Sequence, residues 1–188
     1  MLRGAALLSV LALLAALVYR VAAGNPGAGL VNAVRAQRAP AVPDMSFKVI
    51  WPHSETWPAN LRASAERGTL ALSALRGYPV VLNFWASWCT PCEREAGLLA
   101  AAARAERGRV VFVAVDVHDF SSDARHFLGR HRVPYVAVGS GGSTSERFGL
   151  VGLPETFFVD RHGRIRGMTR GQLSAAALRS QLERVARA

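Results

Sequence analysis

The only two cysteines of this chain, Cys89 and Cys92, stand in Trp88-Cys89-Thr90-Pro91-Cys92, where the apolar run at 79–85 gives way to a helical pattern. A dithiol at a strand-to-helix junction confines the chain to folds that present such a junction. With no third cysteine, the pair has no partner for a structural cross-link elsewhere, so its purpose is chemical: thiol and disulfide exchange. Residues 80–85 are apolar on both faces, as a central strand covered by helices on each side requires, which implies an α/β or α+β layer architecture.

The ends of the chain set the context. Arg3 precedes an almost unbroken apolar stretch at 4–19 that Arg20 closes. This segment, 1–24, is expected to be an export signal or a membrane anchor. It is slightly short for a full span of about 20 residues, and Val21-Ala22-Ala23 ends in small residues suited to signal cleavage. Either outcome puts the globular part outside the cytoplasm. Residues 25–43 are rich in Gly, Ala, Pro and Arg without a sustained period, and are expected to be a flexible linker reaching on the order of 25 Å. The remaining residues, 44–188, fit one domain with one core.

The formal net charge is +10, and Lys48 is the only lysine. The arginines are dispersed, without a basic stripe interleaved with aromatics, which excludes nucleic acid as the expected partner. Attraction to an anionic membrane surface or an acidic partner is the milder consequence.

Within the domain, 70–72 reads as a short strand with a turn at 73–77, followed by strands at 80–85, 110–117, 135–138 and 155–160. A hairpin turn at 161–163 leads to a strand at 164–169. Helical spacing predicts helices over 93–107, 123–132 and from about 174 onward, and 139–144 reads as a loop. Trp51, His53 and Trp57, among prolines, are expected to pack a loop down and are assigned no function.

Around the dithiol, Thr90 is expected to cap the helix, with Pro91 in its first turn and Glu93 completing a capping box. Cys89, just outside the helix N-terminus, is then the expected nucleophile, because unpaired N–H groups and the dipole stabilise a thiolate there. Cys92, one turn in, is expected to resolve the mixed disulfide.

The segments Val81-Leu82-Asn83-Phe84-Trp85-Ala86-Ser87-Trp88-Cys89-Thr90-Pro91-Cys92 and Gly152-Leu153-Pro154-Glu155-Thr156-Phe157-Phe158-Val159-Asp160 resemble the extracytoplasmic thioredoxin-like reductases of the TlpA, ResA and CcmG (DsbE) type. Val42-Pro43-Asp44-Met45 and Leu75-Arg76-Gly77 extend the likeness. It implies a thioredoxin-like α/β fold with a central mixed sheet flanked by helices. It also implies that Pro154 is the cis-proline facing the dithiol, with the Leu153 backbone free to pair with an extended substrate. Glu95 matches the family's acidic residue beside the active site, where a carboxyl relays protons to or from Cys92; its alternative is a solvated first-turn glutamate. Asn83 stands where cytoplasmic thioredoxins have a buried aspartate, which moves proton handling toward Glu95 or Glu155. Glu155, following Pro154, is expected to touch substrate. Trp88 is expected to cover the dithiol, and Trp85 to pack beneath it. The loop at 139–144 departs from the family's aspartate-containing turn.

The resemblance points to a reductase of disulfides in exported proteins, such as apocytochrome c during cytochrome c maturation, recycled by a membrane electron donor of the CcdA/DsbD type. No cofactor and no resident metal are expected beyond the redox-active pair. Two alternatives stay open. A disulfide-introducing oxidase is less favoured because Thr90-Pro91 supplies no cation to the thiolate. A Cu(I)-carrying dithiol is chemically reasonable, but His118, His126, His131 and His162 show no paired spacing with the cysteines for zinc. A peroxiredoxin is disfavoured because Ala86 replaces the hydroxyl residue expected three positions before Cys89.

Overall fold

The computed structural model describes residues 26–188 together with 10, 12–15 and 18. Those N-terminal positions are helical, but most of the expected signal or anchor lies outside the described residues. Among the described residues no helix is long and apolar enough to cross a membrane.

In chain order the elements are α1 (Pro26–Arg35), β1 (Ser46–Trp51), α2 (Ala59–Glu66), β2 (Thr69–Ala71) and a 3₁₀ turn at Leu72–Leu75. There follow β3 (Val80–Trp85), α3 (Thr90–Ala105), β4 (Val111–Asp116), α4 (Ser121–Arg130) and β5 (Val136–Gly139). The chain ends with α5 (Thr144–Phe148), β6 (Glu155–Val159), β7 (Ile165–Arg170) and α6 (Ala175–Ala186). The strands form one seven-stranded sheet in the order β2-β1-β5-β4-β3-β6-β7. β3, β4 and β5 are parallel and joined by helices, whereas β6 lies antiparallel to β3 and β7 antiparallel to β6. This is the central mixed sheet flanked by helices that the family likeness implies.

Every residue of β3 and β4 is buried, the consequence of covering a sheet on both faces. Asn83 and Trp85 face α3 and α4, where Trp85 packs on Phe127 at 4.5 Å. Phe84 faces the other side, against Phe148 of α5 at 4.7 Å and Phe157 of β6 at 5.7 Å. The β6–β7 hairpin turns at Gly163, which adopts a positive φ of 75°. Asp160 secures that turn by accepting the N–H groups of His162 and Arg164 and the Arg166 guanidinium. Burial alone would raise its carboxyl, but these donors outweigh it and hold the group below the usual carboxylate range.

Three segments differ from the sequence-based expectation. The flexible linker expected at 25–43 is helical over Pro26–Arg35, with Val31 and Val34 buried. Its apolar stripe is too short to stand out among Gly and Ala, and a helix of ten residues owes its stability to packing rather than propensity. The loop expected around Trp51 and Trp57 contains β1 and α2. Both indoles do pack the segment down: Trp51 Nε1 donates to Val133 O at 3.0 Å and Trp57 Nε1 to Phe112 O at 2.9 Å. The loop after β5 leads directly into α5, whose Phe148 is buried and whose C-terminus is closed by Gly149 in the left-handed region.

Candidate active site

The end of β3 delivers Trp85 to a tight turn, and α3 begins five residues later. Cys89 and Cys92 are joined by a disulfide with an S–S distance of 2.04 Å, and both are buried. The helix cap is Cys89 itself rather than Thr90: its Sγ accepts the Cys92 N–H at 3.2 Å, and Thr90 is already helical. The Cys89 sulfur thus satisfies one of the N–H groups that open a helix, the service a cap residue performs, so the cap falls one residue earlier than expected. Glu93 does not complete a capping box; it is half-exposed and pairs with Arg130 at 3.0 Å. Arg94 is likewise turned away, donating to Gln172 Oε1 at 2.9 Å. Cys89 stands where the helix N-terminus presents its first N–H groups and the positive end of its dipole.

Glu95 lies one turn beyond Cys92 and is only 1% exposed, which excludes the solvated alternative. Its Oε1 accepts Asn83 Nδ2 at 2.8 Å and its Oε2 accepts the Leu173 N–H at 2.7 Å. Burial raises the carboxyl above its ordinary range, and the two donors offset part of that rise. Asn83 spends its second donor on Thr156 Oγ1 at 3.0 Å. A cavity of about 10 Å³ beside Cys92 is lined by Asn83, Tyr135 and Phe127 among others, near the smallest that admits one water. Asn83 thus lines the same cavity as Cys92 while holding the Glu95 carboxylate.

Glu155 departs from its expected role. It is 1% exposed, because side-chain alternation along β6 sends Thr156 toward Asn83 and Glu155 to the opposite face. Its carboxylate accepts the Val151 N–H at 2.9 Å and Arg170 Nε at 3.3 Å. It therefore ties the loop before β6 to β7 and does not reach the surface a substrate meets. The Leu153–Pro154 peptide is cis, and Leu153 is half-buried against the core. Trp88 stands exposed beside the dithiol, its indole N–H donating to His118 O at 3.4 Å. Trp85 is buried beneath, as expected.

Two acids outside the sequence-based expectation stand here, Asp116 at the end of β4 and Asp119 in the loop that follows it. Asp119 accepts the Ser87 N–H at 2.6 Å and the Ser87 hydroxyl at 2.9 Å, clamping the turn that leads to Cys89. Asp116, beside Trp85 in the β3–β4 register, is buried, and its Oδ1 has no hydrogen-bond partner among the described residues. Burial, and secondarily the nearby Asp119 charge, push its carboxyl up to about 7. The hydrophobic run of β4 ending in an acid was the available signal, since a charge closing an otherwise apolar strand is costly unless it serves the strand's end.

Comparison with known proteins agrees with this geometry. The thiol:disulfide interchange protein CycY of Rhizobium leguminosarum bv. viciae is 36% identical over 108 residues, 55% of this chain and 57% of its own length. The thiol-disulfide oxidoreductase ResA of Bacillus thuringiensis subsp. konkukian is 27% identical over 119 residues, 62% of this chain and 68% of its own length. This chain thus spans little more than half the length of the first of these. Among solved structures, MTB DsbF, determined in mixed oxidized and reduced forms, superposes with a TM-score of 0.63 at 25% identity, covering 77% of this chain and 98% of that one. The Redoxin family model matches residues 37–185, from the C-terminal side of α1 almost to the end of α6, and the chain belongs to the redoxin family.

Proposed function

We propose that this redoxin is an extracytoplasmic thiol-disulfide oxidoreductase that reduces disulfides in exported polypeptides. The observation that carries the proposal is the Cys89–Cys92 pair at the N-terminus of α3 with the buried Glu95 carboxyl one turn behind it. Cys89 thiolate attacks one sulfur of a substrate disulfide, and the other sulfur leaves as a thiolate that takes up a proton. Cys92 then loses its proton, with the buried Glu95 carboxylate as its acceptor, and attacks Cys89 Sγ, releasing the second substrate thiol. Two electrons pass to the substrate, and a membrane dithiol donor of the CcdA/DsbD type restores the pair. Trp88 and the Leu153–Pro154 segment border the place of the incoming chain. Apocytochrome c during cytochrome c maturation is the substrate class that the family likeness favours.

Thr90-Pro91 supports the reductive direction, since it sets no cation against the thiolate and so does not favour the reduced form strongly. Equilibration of the pair against defined thiol buffers tests this. A reduction potential near or below about −200 mV is expected, and one near about −120 mV would make the protein an oxidant. Cys92→Ser should trap mixed disulfides with exported proteins, whereas Cys89→Ser should form none.

A further inference from the structure

Between residues 26 and 188 the large hydrophobic side chains left exposed are Trp88 at 64%, Phe120 at 79% and Val151 at 76%. They come from the turn after β3, the loop after β4 and the loop before β6. β3 and β4 are parallel with Trp85 beside Asp116, and β6 is antiparallel with Glu155 beside Phe84. All three loops therefore leave the sheet at one end, the end at which Cys89 opens α3. Exposed apolar side chains gathered on one rim mark an interaction surface, whereas scattered ones carry no such meaning.

Phe120 occupies that rim by construction. The Asp119 carboxylate accepts Ser87 N–H, the Ser87 hydroxyl and, at 3.0 Å, the Phe120 N–H. One carboxylate thus fixes both the turn two residues before Cys89 and the backbone of Phe120. The Trp88 indole bond to His118 O ties the same two segments a second time. Phe120 caps α4 with extended backbone, yet the packing of that helix is done by Ala124, Phe127 and Leu128, all buried. Its ring is left to solvent at the same end of the sheet as the dithiol.

Resting on the exchange reaction proposed above, we propose that Phe120 is a specificity-determining residue, held in place by Asp119 as a positioning residue. A substrate sulfur reaches Cys89 only if the polypeptide flanking it crosses the rim of Trp88 and Phe120. The rim selects cysteines whose neighbours in sequence are bulky and apolar, as in an unfolded exported chain.

The test uses the full-length reduced protein and two disulfide-bonded peptides that differ only in the residues flanking one cysteine, leucine and phenylalanine in one and serine in the other. Wild-type protein should react faster with the apolar-flanked peptide. Phe120→Ser should lower the ratio of the two rate constants about tenfold, the discrimination typical of one apolar side chain in a contact. Phe120→Leu should restore most of it, and Asp119→Ala should lower it by misplacing the ring. A wild-type ratio near one, or a ratio unchanged in Phe120→Ser, overturns the assignment of Phe120 while leaving the exchange reaction standing. Wild-type protein inert toward both peptides overturns the exchange reaction and this inference with it.

Discussion

Glu95 and Asp116 are both buried carboxyls raised above their ordinary range, but their surroundings give them different work. Glu95 has two donors, Asn83 and Leu173, and lies one turn beyond Cys92 on the same buried side of α3. Its ionisation above the usual carboxylate range should therefore appear as a step in the pH profile of exchange. Glu95→Gln should remove that step while changing substrate affinity little, as rapid-mixing kinetics across pH would show. Asp116 has an orphaned oxygen and a charged neighbour in Asp119. Because its folded pKa of about 7 lies above the ordinary 3.8, the folded state holds this proton longer than the unfolded chain does. The penalty for ionising it grows as pH rises between those values and is complete above the upper one. Asp116→Asn should thus be more stable than wild type at pH 8, by roughly 2–4 kcal/mol, with the gain vanishing below about pH 4. Denaturant titrations at the two pH values check this.

At the scale of elements, α1 is held by an interlock of backbones. A side chain at Gly27 would meet Gly149 N and Glu146 O, so only glycine lets α1 lie this close to the end of α5. Val31 and Val34 are buried farther along the same helix, Val34 as part of the main core. Gly27→Leu should push the first turn of α1 off the domain at a cost of about 1–3 kcal/mol, the usual range for overpacking. Hydrogen exchange should show lost protection confined to 27–35 while β3 and β4 keep theirs. α3 is fixed differently, by the covalent turn at its start and by the row Cys92, Glu95, Ala96, Leu99 and Ala103 buried along one side. That row has the spacing of a single helix face, which is why its position is readable from sequence when that of α1 is not.

For the molecule as a whole, what was legible follows what repeats. The doubly buried β3 and β4, the helix after the dithiol and the Gly163 hairpin all carry period or turn signals strong enough to place them within a few residues. β1 and α2 were hidden because Pro52 and Pro58 break the pattern around them, and their order is imposed by distant partners, Val133 and Phe112, which no local window contains. In the candidate site, the cysteines and Glu95 declare themselves by spacing and by family likeness. The roles of Asn83, Thr156, Asp119 and Arg170 depend on which strand lies beside which. Glu155 misled because adjacency to Pro154 in sequence says nothing about the face on which a strand residue emerges. The bond from Leu173 to Glu95 joins the helix bearing the dithiol to the chain just before α6. It makes that single amide a natural spectator of the site: its proton chemical shift should titrate with the Glu95 carboxyl, letting the charge beside the sulfurs be followed spectroscopically without a label or a substrate.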